Sequence, residues 1–155
     1  MHPRRDDPTR PAVAALLRGH LAELAGLSPP ESMHALDASG LCAPSITFWS
    51  VGASEDPESE VIGCGALLEL DPTHGEIKSM RTARAHLRRG VASMVLRCII
   101  DEARARGYAR LSLETGSQQA FAPARALYAR FGFTLCPPFG AYTDDPNSVF
   151  MSREL

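Results

Sequence analysis

The sequence predicts a mixed α/β (α+β) domain: a mostly antiparallel sheet with one βαβ unit at its centre, flanked by helices. Three observations carry this expectation. Residues 46–82 hold three runs rich in strand-forming side chains, separated by turns of hairpin length. Residues 90–106 repeat apolar side chains at helical spacing. A further strand-like run at 111–115 follows the Gly107 stop, and two strands joined through a helix lie parallel, with a right-handed crossover. At 155 residues the chain reads as a single domain, 1–155, with residues 1–8 loose and polar.

The elements follow in order. From Thr9 to Ala25, Val13, Leu16, Leu17, Leu21 and Leu24 share one helical face, with Thr9 as N-cap, Pro11 in the first turn and Gly26 as stop. Residues 28–32 can start a second short helix carrying Met33, His34 and Leu36. Residues 46–51 form a strand, 52–59 an acidic hairpin loop and 61–70 a second strand. Gly63 and Gly65 within that strand mark close packing or a bulge. Residues 71–75 are turn chemistry, and 76–82 complete an antiparallel meander. In the central helix, Val91, Met94, Val95, Cys98, Ile99 and Ala103 make the expected buried stripe. A shorter helix spans 121–131 and stops at Gly132. Two last strands, 133–136 and 148–152, bracket a Pro- and Asp-containing loop at 137–147.

Composition narrows the function classes. A net charge of −2 gives no electrostatic case for a nucleic-acid or anionic-membrane partner. The apolar runs fall short of the roughly 18 residues a membrane helix needs. No apolar segment follows the arginines of MHPRRDDPTRP, so a secretory signal is not expected and the reading is cytoplasmic. Cys42, Cys64, Cys98 and Cys136 are widely separated and read as buried free thiols of a reducing compartment. The five histidines lack ligand spacing, so no metal is expected.

The stretch His86-Leu87-Arg88-Arg89-Gly90-Val91-Ala92 carries the chemistry. A glycine at a helix entrance lets backbone N–H groups approach a ligand, and a helix N-terminus favours negative charge. With two arginines beside it, the turn reads as an anion site.

Together with the downstream run Ala-Leu-Tyr-Ala-Arg-Phe-Gly-Phe, this turn resembles the GNAT superfamily of N-acetyltransferases, in particular a small single-domain bacterial subgroup. Gly90 and Ala92 match the end of the family's pyrophosphate motif, Arg/Gln-x-x-Gly-x-Gly/Ala, with Leu87 in place of the usual Arg or Gln. Leu127-Tyr128 and Gly132-Phe133 match a second hallmark. Segments 75–81, 113–116, 121–133 and 145–151 extend the likeness over most of the chain. The short N-terminal region implies a truncated or displaced first strand. Gly116, Ser117 and Gln118 stand where the family often carries an Asn.

The resemblance implies acetyl-CoA as co-substrate. Its pyrophosphate would lie over residues 87–93, on the backbone N–H groups of Leu87, Arg88, Arg89, Gly90, Val91, Ala92 and Ser93, with the two arginine side chains screening it. Its pantetheine would pair with the main chain of Met80, Arg81 and Thr82, where strands 76–82 and 111–115 splay. Tyr128 would protonate the CoA thiolate, and a backbone N–H near Met80 or Arg81 would hold the oxyanion. Glu76 is the candidate general base, with Glu69, Glu31 and His34 as rivals. Glu76 and Lys78 are two apart, share a strand face and can also pair there.

The acceptor side draws on the N-terminal helices and the 137–147 loop. Glu31, His34, Trp49 and Tyr142 are the candidate substrate residues, and Trp49, Phe139, Tyr142 and Phe150 form an aromatic wall or core. His20 is read as a surface residue, and Glu31, Asp144 and Asp145 suit a cationic amine. The implied activity is N-acetyl transfer from acetyl-CoA to a small-molecule amine by direct attack in a ternary complex. Protein N-terminal or lysine acetylation, and a non-catalytic acyl-CoA-binding module, stay open as alternatives. The resemblance also implies a homodimer through 148–152.

Overall fold

The computed structural model describes residues 1–29 and 36–155. The N-terminus, expected loose, contains an edge strand: Arg4–Arg5 (β1) pairs antiparallel with Ser50 and Trp49. Charge rather than apolar pattern fixes it. Asp6 accepts the Ser50 hydroxyl and takes both Nε and Nη2 of Arg10, at 3.0 and 2.6 Å. The first helix, Pro11–Leu27 (α1), begins at its proline, and Thr9 does not cap it. The Thr9 hydroxyl instead turns back to Asp7 Oδ1 at 2.7 Å. Helix α1 buries Val13 and Leu17 against Phe48, Val61, Cys64 and Ala66. The second short helix expected at 28–36 lies largely outside the described residues.

Ile46–Gly52 (β2), Val61–Asp71 (β3) and His74–Thr82 (β4) form the antiparallel meander, β4 starting two residues earlier than the turn residues suggested. Val91–Ala105 (α2) then crosses to Arg110–Gly116 (β5), which lies parallel to β4. Ala122–Arg130 (α3), Thr134–Leu135 (β6) and Ser148–Glu154 (β7) complete the chain. The sheet order is β1-β2-β3-β4-β5-β7-β6, with β4–β5 the parallel pair. The architecture is therefore the expected mixed, mostly antiparallel sheet with a central βαβ unit.

Helices α2 and α3 share one core cluster, in which α2 buries Val91, Val95, Leu96, Ile99, Ile100 and Ala103. Met94 and Cys98, expected in that stripe, are only partly buried. Close approach of α2 explains the paired glycines. A Cβ on Gly65 would sit 2.5 Å from Val95 Cγ1 and 2.7 Å from Met80 Sδ. Gly65→Ala is therefore expected to destabilise the fold by about 1–3 kcal/mol through overpacking, read as a lower urea midpoint at unchanged slope.

The strands part where the site begins. Hydrogen-bonded register between β4 and β5 runs from His74↔Arg110 to Ile77↔Leu113 and ends there. Just beyond, the register with β3 shifts, Cys64↔Arg81 being followed by Ala66↔Lys78, and Ser79 takes a left-handed φ of 56°. That is a β-bulge, which bends its strand and breaks the local ladder. Beyond Ile77, β4 thus leaves β5 while β5 continues in register with β7 through Gly116. Cys42, Cys64, Cys98 and Cys136 are free thiols, of which only Cys64 is buried and Cys42 is exposed. Among the described residues no helix is long and apolar enough to cross a membrane.

Candidate active site

The gap between the splayed strands opens a cavity of about 140 Å³. Glu76, Lys78, Ser79 and Met80 of β4 form one wall, and Glu114, Thr115 and Gly116 of β5 face them. Helix α3 adds Ala124 and Tyr128 and the turn before it Phe121, while α1 covers the gap with His20 and Leu24 and its C-cap Ser28. Tyr142 and Asn147 reach in from the loop before β7. Gln118 ties these covers together, its Nε2 donating to Leu27 O at 3.1 Å and to Asn147 Oδ1 at 3.3 Å.

After β4 the chain runs into the entrance to α2. The chain makes a tight turn at Arg84–His86, and Arg88 and Gly90 then adopt left-handed φ angles of 63° and 80°. Successive backbone N–H groups in such a conformation form a concave anion nest, and the first turn of α2 adds N–H groups with no i−4 carbonyl to bind. Gly90 is there for its backbone conformation: a Cβ at that position would meet nothing within 4 Å. Leu87, Arg88 and Arg89 are exposed, Leu87 by 53%. Of the residues expected to meet the cofactor, 80–82 are the end of β4, where Met80 lines the cavity, and 87–93 are the turn before α2 and its first residues. Arg81 pairs its guanidinium with Glu23 of α1, holding α1 onto β4.

Two acidic side chains line the cavity in different surroundings. Glu76 is 3% exposed, and its Oε2 accepts the Tyr142 hydroxyl at 2.6 Å and Lys78 Nζ at 3.2 Å. Lys78 Nζ also donates to the Tyr142 oxygen at 3.1 Å, closing a triangle. Burial, together with Glu76, holds the Tyr142 phenol protonated far above its ordinary range. Glu114 has one long side-chain bond, from Ser148 Oγ at 3.3 Å. Burial pushes its carboxyl up to about 7, Ser148 and Lys78 opposing and Glu76 and Asp145 adding to the rise. Burial and then Glu114 raise the Tyr128 phenol well above its ordinary value, so that it holds its proton.

The other expected site residues separate in space. Trp49 is 3% exposed in the core cluster with α2 and does not line the cavity: on β2 it alternates to the same face as Val51. Glu69, a rival base, is held by the Tyr108 hydroxyl at 2.6 Å and is likewise not in the cavity wall. Phe150 and Phe139 pack edge-on to each other, 5.9 Å between centroids, and support Tyr142 from behind. Glu31 and His34 lie outside the described residues. His20, read as a surface group, instead lines the cavity, where burial and then Arg81 bring its imidazole down to about 4. Glu114 is the residue that sequence reasoning missed. Its signal was a carboxylate inside a strand that the βαβ unit places at the sheet centre, where both faces are covered.

Comparison with known proteins points one way. A model of the acetyltransferase (GNAT) family matches residues 11–133. The uncharacterised N-acetyltransferase YsnE of Bacillus subtilis (strain 168) is 56% identical over 155 residues, covering 100% of both chains. Among solved structures, an acyl-CoA N-acyltransferase of Klebsiella pneumoniae superposes with a TM-score of 0.78 at 27% identity, over 99% of this chain and 96% of that one. A GNAT-family acetyltransferase of Elizabethkingia anophelis with acetyl-CoA bound shares the fold, with a TM-score of 0.65 at 17% identity over 99% and 97% of the two chains.

Proposed function

From the premise that this chain belongs to the GNAT family of acetyltransferases, we propose that it moves an acetyl group from acetyl-CoA directly to the amine of a small molecule held between α1 and the 137–147 loop. The observation that carries the reading is the parting of β4 from β5 after Ile77, which opens a cavity lined by Glu114 and Tyr128 beside the freed edge of β4. The β4 edge can pair with an extended pantetheine as an added strand would. The nest and Arg88 and Arg89 suit the pyrophosphate.

The chemistry divides among named groups. An amine arrives protonated, since its ordinary pKa is roughly 10.4, and attacks only as the free base. We assign its proton to Glu114, whose carboxyl near 7 is ionised for part of the population at neutral pH and is not saturated by partners. Glu76 is the weaker choice because Tyr142 and Lys78 already occupy its Oε2. The tetrahedral oxyanion would be met by a backbone N–H beside the bulge, near Met80 or Arg81. As the C–S bond breaks, Tyr128 would give its proton to the departing thiolate, which a phenol held neutral by burial can do.

Tyr128→Phe tests the assignment. The expected result is a fall in kcat of about 10²-fold with acetyl-CoA affinity unchanged, measured as CoA release with an amine panel and as binding by calorimetry. An unchanged rate would remove Tyr128 from the reaction. Binding of acetyl-CoA with no release by any amine would favour a non-catalytic acyl-CoA-binding module.

A further inference from the structure

We infer that Lys78 is a self-acetylation site: with no acceptor in the cavity, its Nζ takes the acetyl group of bound acetyl-CoA. The inference rests on the proposed acetyl transfer for the position of the thioester, and on the placement of one side chain for the rest.

Of the 16 Lys and Arg residues in the chain, Lys78 is the one lysine. Arginine does not compete for an acetyl group, because its guanidinium stays protonated and accepts nothing. The one side-chain amine that can be acylated therefore stands in the wall of the candidate active site, its side chain only 10% exposed. Elsewhere arginines make the ion pairs with Asp6, Glu23 and Glu102. Lys78 is also the first residue of β4 past Ile77, where the register with β5 ends, and it precedes Met80 by two. Its charge acts on Glu114, and Glu114 acts on Tyr128. Amine, proposed base and proposed acid thus share one small cavity.

Lys78 Nζ donates to Glu76 Oε2 at 3.2 Å and to the Tyr142 oxygen at 3.1 Å. The first contact puts a proton acceptor in place, and both must loosen before Nζ attacks, which makes the reaction slow. An amine tethered in the cavity nonetheless has an effective concentration far above that of a dissolved one. Nζ bonds to the acetyl carbon, the C–S bond breaks, and the ammonium sheds two protons in all. One ends on the CoA sulfur, and the other passes by way of Glu76 to solvent. The product amide is neutral, and its acetyl group fills part of the cavity of about 140 Å³.

The test incubates the full chain with acetyl-CoA and no amine, and maps acetyl groups over time by peptide mass spectrometry. The Met1 amino group, 3.1 Å from Glu55 and 40% exposed, is the internal measure of uncatalysed acetylation. Lys78 is expected to be acetylated at least about tenfold faster than Met1. Excess CoA, which competes for the cofactor site, should slow Lys78 several-fold and leave Met1 unchanged. In urea the order should reverse. An ordinary α-amino group, with a pKa of about 8, is far more often deprotonated than an ordinary lysine at roughly 10.4. Met1 acetylated ahead of Lys78 in the folded chain, Lys78 acetylation that CoA does not slow, or a preference that survives urea overturns the inference. CoA release with an amine panel keeps the two readings apart. Release to amines with Lys78 untouched overturns this inference and leaves the acetyl-transfer reading standing. Acetylated Lys78 with no release to any amine does the reverse.

Discussion

Replacing Glu114 by glutamine is expected to lower kcat/KM for amine acetylation by about 10²-fold or more while making the protein more stable at alkaline pH. The two effects share one cause. Burial raises the Glu114 carboxyl from an ordinary value of 4.5 to about 7, so the folded chain holds this proton more tightly than the unfolded chain does. The unfolded state then binds fewer protons between those values, and stability falls as pH rises from about 4.5 to about 7. Glutamine has no proton to lose there and escapes the penalty. The full shift corresponds to roughly 3 kcal/mol, and residual solvent access reduces the usable part to about 1–2 kcal/mol. For a chain of this size that is a melting temperature higher by about 2–8 °C at pH 8, with little difference at pH 4. In the wild-type protein, activity should rise through pH 7 and level off, and the variant should lose that acid limb. A variant that keeps the wild-type rate, or keeps the limb, would return the base to Glu76 or to a solvent relay.

The parts of the fold that were legible in the sequence are those whose cause is local. The meander and α2 announce themselves through alternation and helical spacing, and Gly90 through its place at a strand–helix junction. Strand β1 was not legible, because its position depends on Asp6 meeting Ser50, 44 residues away, and nothing in Arg4-Arg5 has strand character. Trp49 was misplaced for a different reason. A tryptophan on a half-buried strand suits a ligand wall or a core equally, and only the face shared with Val51 decides between them.

Glu114 and His20 failed in the same way as each other. Each is an ordinary side chain on an ordinary element until the sheet opens beneath it. The opening comes from the bulge at Ser79, and nothing in the local sequence Lys78-Ser79-Met80 requires a left-handed φ there. Once β4 bends, Glu114 faces Lys78 and Glu76 across a gap instead of across a hydrogen-bonded ladder, and α1 covers that gap with His20. Titration behaviour is therefore a property of three elements joined late in the fold, which residue type and spacing cannot express. The cofactor half is the reverse case. Its proposed donors are backbone groups of a local turn, which is why the resemblance could point to residues 87–93 before any tertiary contact was known.

That local character makes Gly90→Asp the sharpest probe of the cofactor half. The position is a helix N-cap at φ 80°, with no atom within 4 Å of where a Cβ would stand. Aspartate is among the residues that tolerate left-handed backbone, at a cost of about 1–2 kcal/mol, and its carboxylate is a favoured N-cap that offsets part of that cost. The fold should survive with a melting temperature within a few degrees of wild type. The same carboxylate would then bond the N–H groups of the first turn of α2 and place negative charge where the pyrophosphate is proposed to sit. Losing those donors and adding like-charge repulsion should weaken acetyl-CoA by about 3 kcal/mol or more, a Kd raised at least 10²-fold in calorimetry. Gly90→Ala carries the backbone strain without the charge and should keep affinity to within about tenfold, because the site remains electropositive. If Gly90→Asp binds acetyl-CoA as wild type does, the pyrophosphate does not use this helix entrance. If Gly90→Ala loses binding as completely, the left-handed conformation itself, and not the charge above it, is what the ligand requires.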